Sequence, residues 1–322
     1  MTRRDASGSS MSIVRFYPDA PKPGWPRPVV ALGNFDGLHR GHQQLVDQIR
    51  RRAAEQAGTS VVLIFEPHPP RVLRPDKAPP LIMTFDQKIE AFDRAGVDAV
   101  AAVRFSREVA RWEPEYFVEA VLVDWLQAAE VWVGANFLFG RDRAGTFTLL
   151  RALGEDRGFR VEKIEPVLYK DFVVSSTRIR HLLAEGRVDE AGALLGHHYA
   201  IGGTVVHGAA RGRLLGFPTA NLSTDNELVP PTGVYATAAE IGGTRWPAVT
   251  NIGVRPTFES AGAVTIETHV LGLDADVYGA PLSLSFIQRL RDERRFPDVD
   301  ALKEQIQADV RRARRLFDNI SV

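Results

Sequence analysis

Between about Pro28 and Arg180, near-continuous apolar runs alternate with segments in which apolar residues recur every three or four positions. The runs RPVVALGNF, TSVVLIFEP, DAVAAVRF, EVWVGANF and FRVEKIEPV predict strands covered on both faces, because they lack a strict in–out alternation. The segments between them predict helices. In GHQQLVDQIRRRAAEQAG, residues Leu45, Val46, Ile49, Ala53 and Ala57 share one side and Gly58 supplies a stop; in TFDQKIEAFDRAG, Thr84 and Gln87 stand at capping-box spacing. Repetition of βαβ units predicts an α/β fold with a Rossmann-like, doubly wound parallel sheet.

TRIRHLLAEGRVDEAGALLGHHY predicts two short helices, and near Ala200 the pattern changes. YAIGGTVVHG, GVYATAAEI, TRWPAVTNIG, VTIETHVLGL and LSLSFIQRLR alternate apolar with polar residues, with Gly242 and Gly243 at one turn, as half-buried antiparallel strands do. Strands without helices between them predict a small barrel, and DVDALKEQIQADVRRARRLF predicts a capped amphipathic helix lying on it. The expected organisation is a disordered tail over residues 1–12, an α/β domain over 13–199 and a barrel domain over 200–322.

Composition removes several alternatives. The 322 residues are 44% hydrophobic, enough for two buried cores. Forty Lys and Arg against forty Asp and Glu leave a net charge of +0, which offers no global attraction to nucleic acid or an anionic membrane, and neither is expected as a partner. The chain has no cysteine, which excludes disulfides, thiolate metal centres and thiol catalysis and suits a reducing cytoplasm. No apolar segment follows the N-terminal arginines, and VEAVLVDWLQAAEVWV is interrupted by Asp124 and Glu130, so neither a signal peptide nor a membrane span is expected. Oligomeric state stays open, weak homo-oligomerisation included.

Candidate chemistry begins with GNFDGLHRGH, residues 33–42, at the end of the first strand run. In open α/β sheets that position binds ligands, and here it leads into a helix N-terminus, which favours anions. Gly33, Gly37 and Gly41 let backbone amides approach a phosphate. With His39 at the helix start, His39 and His42 share a face and could both meet one phosphate, each with an ordinary pKa that allows a cationic form. Taken by themselves the two histidines fit a metal half-site as well. Further on, SSTRIR supplies Ser175, Ser176 and Thr177, good helix caps, together with the arginine Arg180. In VTIETHV, Val264, Ile266 and Val270 share one face and Glu267 the other, leaving Glu267 either solvated or aimed into a barrel interior or ligand mouth. No Gly-Lys dipeptide exists, so a Walker A loop is absent.

GNFDGLHRGH resembles the signature of the HxGH nucleotidyltransferases at His39, Gly41 and His42, and SSTRIR resembles their phosphate-binding turn. The resemblance implies that His39 and His42 stabilise the transition state at an α-phosphate. It implies nucleotide and phosphate contacts for Gly33, Asn34, Phe35, Gly41, Ser176, Thr177 and Arg180. FEPHP and GANFLFGRDRAGT resemble the segments that line the flavin and nucleotide site in that family, implicating His68, Asn136, Phe137 and Phe139. Leu138 stands where many relatives carry an arginine, with Arg141 and Arg143 close by in sequence.

The later half is similar to riboflavin kinase domains: Pro-Thr-Ala-Asn at 218–221, Gly-Val-Tyr, Asn-Ile-Gly-x-Arg-Pro-Thr-Phe, a strand glutamate, then LRDERRF and a terminal helix. The resemblance implies a six-stranded antiparallel barrel, an ATP–Mg²⁺ site at Gly216, Thr219 and Asn221 with Thr219 and Asn221 holding the metal, and Glu267 as the base for the ribityl 5′-hydroxyl. Together, from about Val29 to Phe317, the chain resembles the bifunctional riboflavin kinase/FAD synthetases of bacteria. The expected substrates are riboflavin, FMN and ATP, with Mg²⁺ as cofactor and FAD as final product. Two other readings are a nucleotidyltransferase for a different acceptor with an accessory flavin-binding barrel, and a non-catalytic flavin carrier.

Overall fold

The computed structural model describes residues 11–16, 20–208, 212, 215–257 and 260–319. It divides into two compact units, Met1–Pro80 with Phe85–Val174, and Leu81–Thr84 with Ser175–Val322.

The first unit is built on a six-stranded sheet whose pairings are all parallel. Its strands are β1 (Ser12–Phe16), β2 (Val29–Leu32), β3 (Ser60–Glu66), β4 (Ala99–Arg104), β5 (Glu130–Gly134) and β6 (Arg160–Ile164), in the spatial order β1-β4-β3-β2-β5-β6. The helices between them are α1 (Arg40–Glu55), the short α2 (Pro69–Leu73), α3 (Phe85–Arg94), α4 (Pro114–Phe117), which runs into a wide turn at Val118–Trp125, and α5 (Phe147–Arg157). Alternate strand residues Val30, Leu32, Val61, Leu63, Val131 and Val133 are buried with Val121, Leu122, Trp125 and Leu150 on one face. Their neighbours Val29, Ala31, Val62 and Ile64 are equally buried. Two-sided burial is the physical cause of the unbroken apolar runs.

Two local details depart from the sequence pattern. Strand β1 begins at Ser12, paired with Ala99, so the expected tail over 1–12 ends at least one residue earlier; residues 1–10 lie outside the described set. A short, mixed segment gives no signal of its own, and parallel pairing with β4 determines it. At the end of α1 the left-handed residue is Ala57, with φ +49°. Gly58 answers a different need: a Cβ there would lie 2.4 Å from the Arg27 carbonyl oxygen.

A small hairpin, β7 (Leu168–Tyr169) and β8 (Phe172–Val173), closes the first unit. In the second, α6 (Ser176–Ala184) and α7 (Val188–Leu195) are the two short helices read from the sequence, and they belong with the barrel. The barrel comprises β9 (Tyr199–Val206), β10 (Ala220–Thr224), β11 (Gly233–Ile241), β12 (Thr244–Thr257), β13 (Ser260–Val270) and β14 (Pro281–Arg291). It closes in the order β10-β13-β12-β11-β14-β9 with every pairing antiparallel. The interior holds Tyr199, Tyr235 and Phe286, together with Thr237, Thr250 and Thr268, whose hydroxyls form a hydrogen-bonded ladder at 2.8 and 3.0 Å. Helix α8 (Val299–Asp318), capped by Asp298, packs Ala313, Val310, Leu316 and Phe317 on the outer residues Val234, Ala236, Val249 and Leu290. Asp309 of α8 accepts from Arg291 at 2.9 Å and from Gln305 at 2.8 Å, and the first of these ties the end of β14 to the helix.

Candidate functional site

In the first unit β2 lies between β3 and β5, and the chain runs from β2 to β3 on one side and from β5 to β6 on the other. Such a switch point leaves a crevice at the carboxyl ends of the strands. The loop after β2 and the loop after β5 both open there. Gly33 and Asn34 from the first, and Asn136, Phe137, Leu138 and Phe139 from the second, line one cleft of about 800 Å³.

The β2–α1 loop is held tightly. Phe35 at φ +50°, Gly37 at +88° and Leu38 at +38° take the left-handed region within four residues, a conformation that costs non-glycine residues about 1–2 kcal/mol each. Burial offsets the cost: Phe35 is fully buried and Leu38 nearly so. The Phe35 ring lies 5.1 Å from His42 and 5.5 Å from Phe92 of α3, and Lys88, on the same face of α3, donates to the Asn34 carbonyl at 3.0 Å.

His39 is the N-cap of α1, which starts one residue later, at Arg40. Its Nδ1 accepts the His42 N–H at 3.4 Å, and the two imidazoles stack with centroids 3.6 Å apart and planes 14° from parallel. The shared face expected from sequence is thus a face-to-face stack. Gly41 permits it, since a Cβ there would lie 3.3 Å from the His39 ring. Burial lowers the His39 pKa to about 4, with its own backbone and Asp36 acting the other way. His42 is pushed well below the ordinary value by burial, then by His39 and Lys88. Cationic histidines, admitted by the sequence reading, are therefore not the ligand-free state: both rings are neutral near pH 7. With Nδ1 of His39 used as an acceptor, its proton resides on Nε2. His42 Nδ1 is buried without a hydrogen-bond partner among the described residues. No group of three or more His, Cys, Asp or Glu able to hold a metal occurs among the described residues, and the pair stays two-membered.

One wall of the cleft is aromatic. Phe137 stacks on Phe139 at 5.6 Å, Phe139 meets Phe117 at 5.7 Å, and Phe65, Phe105 and Trp112 complete the wall. These last four come from separate elements, and no local spacing flags them. His68 occupies the N-cap position of α2 without a side-chain capping hydrogen bond, and it is Pro69, Pro70 and Leu73 of that helix that line the cleft. Of the arginines near Leu138, Arg141 pairs with Glu113 at 2.6 Å, while Arg143 lines the cleft. Ser175 caps α6 through the Arg178 N–H, with Ser176 and Thr177 in the first turn and Arg180 in the next, all in the second unit.

In the barrel, Asn221 of β10 pairs in register with Glu267 of β13, and Glu267 pairs with Asn251 of β12. Side chains directly opposite share a face, so the three form a row across adjacent strands. Ile266, Thr268 and Val270 point inward and are buried. Glu267 therefore sits on the outer wall, which removes the interior option. A Cβ on Gly208 would fall 2.1 Å from Asn221 Nδ2, and one on Gly212 would fall 3.3 Å from Thr219 Oγ1, so main chain passes closely over both side chains. Gly216 has φ +85° in the turn before them. His269 anchors the same turn through a 2.8 Å contact between Nδ1 and the Pro218 carbonyl. A cavity of about 420 Å³ opens beside Asn221, next to His207 and Thr265. Asn251 completes the row, and strand alternation combined with register, unlike residue spacing, is what reveals it.

A parallel sheet that opens its switch point onto a glycine-bearing loop and a helix N-terminus is the architecture of nucleotide-handling proteins. A family model described as FAD synthetase matches residues 22–178, and one described as riboflavin kinase matches residues 195–317. Proteins named bifunctional riboflavin kinase/FMN adenylyltransferase are similar along most of the chain. That of Pseudomonas fluorescens is 42% identical over 89% of this chain and 92% of its own. That of Escherichia coli (strain K12) is 37% identical over 90% and 92%, and that of Bacillus subtilis (strain 168) 36% over 91% and 93%. A crystal structure from Streptococcus pneumoniae, described as a macrolide-efflux protein, superposes with a TM-score of 0.85 at 30% identity, covering 97% of this chain and 100% of that one. No helix among the described residues is long and apolar enough to cross a membrane. The chain belongs to the bifunctional riboflavin kinase/FMN adenylyltransferase family.

Proposed function

We propose that the chain makes flavin cofactors in two steps: riboflavin and ATP give FMN and ADP on the barrel, and FMN and ATP give FAD and pyrophosphate on the parallel-sheet unit. One observation carries this reading. The stacked His39 and His42 and the Asn221–Glu267–Asn251 row occupy different units, in the chain order of the two matching family models.

For adenylyl transfer, the FMN phosphate attacks the α-phosphate of ATP and pyrophosphate leaves. No side chain need form a covalent bond, so catalysis is positioning and stabilisation of charge on the phosphate oxygens. His39 donates from Nε2–H as a neutral ring, and His42, beside it, supplies the second imidazole. Gly33, Asn34, Phe35 and Gly41 admit the phosphates, and the α6 turn with Ser176, Thr177 and Arg180 carries hydroxyls and a cation of the kind that bind phosphate oxygens. Asn136, Phe137 and Phe139 form the wall against which flavin and nucleotide rings stack, and His68, at the N-cap position of α2, precedes the Pro69 and Pro70 that line the same cleft.

For phosphoryl transfer, Glu267 takes the proton of the ribityl 5′-hydroxyl as its oxygen attacks the γ-phosphate and ADP leaves. Gly216, Thr219 and Asn221 form the ATP site. A Thr hydroxyl and an Asn amide oxygen beneath close main chain are hard oxygen donors few in number, which suits Mg²⁺, an ion that keeps waters and phosphate oxygens as further ligands. Bound there, Mg²⁺ neutralises charge on the phosphates. A cytoplasmic location fits both the ATP requirement and a chain without cysteine.

The test is chromatography of riboflavin incubated with ATP, Mg²⁺ and the purified protein. FMN appears first and FAD follows; absence of both products refutes the proposal. An acceptor other than FMN would show as pyrophosphate release with phosphopantetheine or nicotinate mononucleotide, and no observation favours it.

A further inference from the structure

Lys88 is 4% exposed, and a buried ammonium is costly unless it is put to use. It lies on α3, one helical turn before Phe92. The two act on consecutive residues of the β2–α1 loop: Lys88 Nζ donates to the Asn34 carbonyl at 3.0 Å, and Phe92 packs edge-on against Phe35 at 5.5 Å. Between them they grip the Asn34–Phe35 peptide at the point where the chain enters the left-handed region. The Phe35 ring also meets His42, 5.1 Å away.

Only one cis peptide, Glu66–Pro67, occurs among the described residues, so the Asn34–Phe35 peptide is trans. In a planar trans peptide the carbonyl and the N–H point in opposite directions. Drawing the Asn34 oxygen towards Lys88 therefore turns the Phe35 N–H away from α3. That N–H makes no hydrogen bond among the described residues, although the Phe35 side chain is fully buried. An unmade donor on a loop whose Gly33 and Asn34 line the cleft is a group kept for a ligand.

We propose that Lys88 is a positioning residue for adenylyl transfer: it clamps the Asn34 carbonyl so that the Phe35 N–H is presented to the phosphates of ATP beside the histidine pair. This rests on the assignment of adenylyl transfer to the first unit. Lys88 does not touch substrate; it acts through the peptide it orients. Its charge also adds to the burial that keeps His42 neutral, and Glu66, raised by burial, is drawn back by the Lys88 and Arg15 charges.

The experiment compares Lys88→Met, Lys88→Arg and His42→Ala in the full-length protein. It measures kcat and KM for FMN adenylylation, FMN binding by quenching of flavin fluorescence, and riboflavin phosphorylation. Lys88→Met is expected to lower the adenylylation kcat by roughly tenfold to a hundredfold, as misplacement of a single donor does. FMN affinity should stay within about threefold, because the aromatic wall is untouched, and Lys88→Arg should recover part of the lost kcat. An unchanged kcat in Lys88→Met overturns the proposal, and so does parallel loss of kcat and FMN binding, which would mean a purely structural lysine. Should His42→Ala make FAD at the wild-type rate, the underlying assignment of the site falls instead.

Discussion

Asn221 and Glu267 occupy one register position on neighbouring strands of the barrel, with the main chain of Gly208 lying directly over the Asn221 amide. The polar row is thus roofed by a residue that has no side chain to spare. Gly208→Ala would place a methyl 2.1 Å from Asn221 Nδ2 and must displace it. The expected result is a fall of at least about tenfold in riboflavin phosphorylation, with adenylylation of added FMN unchanged. Steady-state assays of each half-reaction on the same preparation check it.

Independence of the two sites makes a reciprocal prediction. His42→Ala should reduce FAD formation by roughly a hundredfold or more while FMN still accumulates from riboflavin. Glu267→Gln should block FMN formation yet leave supplied FMN able to become FAD. If either substitution stops both reactions, the assignment of one reaction to each unit is wrong.

The depressed histidines also set a pH dependence of stability. An unfolded His39 takes up its proton near pH 6.5, whereas the folded one resists it until about pH 4. Below pH 6.5 the unfolded state binds more protons, so stability is full above that value and is lost as the pH falls towards 4. The loss from His39 is about 3 kcal/mol. His39→Asn keeps a helix-capping oxygen but removes the titration. Thermal melts of the ligand-free protein between pH 7 and 4 should decline less steeply for this variant; equal slopes would refute the buried-imidazole account.

The tie between Arg291 and Asp309 is nearly sealed from solvent, with the side chains 19% and 7% exposed. Removing one partner of such a pair strands the other charge. Asp309→Ala should destabilise the barrel unit by roughly 3 kcal/mol in urea unfolding. A loss below about 1 kcal/mol would show that water reaches the pair.

The parallel sheet was legible because burial on both faces writes itself as continuous apolar runs, and α1 and α8 because their apolar stripes have helical period. Strand β1 was not, since its five residues alternate weakly and depend on β4 for pairing. Strand β10 hid within the Pro-Thr-Ala-Asn motif, whose proline and asparagine read as turn residues. At the first site, His39 and His42 could be read from spacing, but not their stacking or their neutrality, which come from burial by residues such as Phe35 and Lys88 that are distant in sequence or unremarkable in type. Trp112, Phe65 and Phe105 were invisible for the same reason: they converge only when the ends of β3 and β4 meet the loop after β5.

The threonine ladder inside the barrel has a meaning for how this sequence can drift. Thr237, Thr250 and Thr268 are all at most 1% exposed, and each hydroxyl in the chain of bonds is answered by its neighbour. Replacing the central Thr250 by valine takes from both neighbours their bond within the ladder, at about 1–3 kcal/mol, replacing an end member leaves one bonded pair, and replacing all three removes donors and acceptors together and is nearly neutral. The three positions are thus a single heritable unit: every route from the polar to the apolar version of this core passes through a two-valine intermediate whose one remaining hydroxyl has lost its ladder partner.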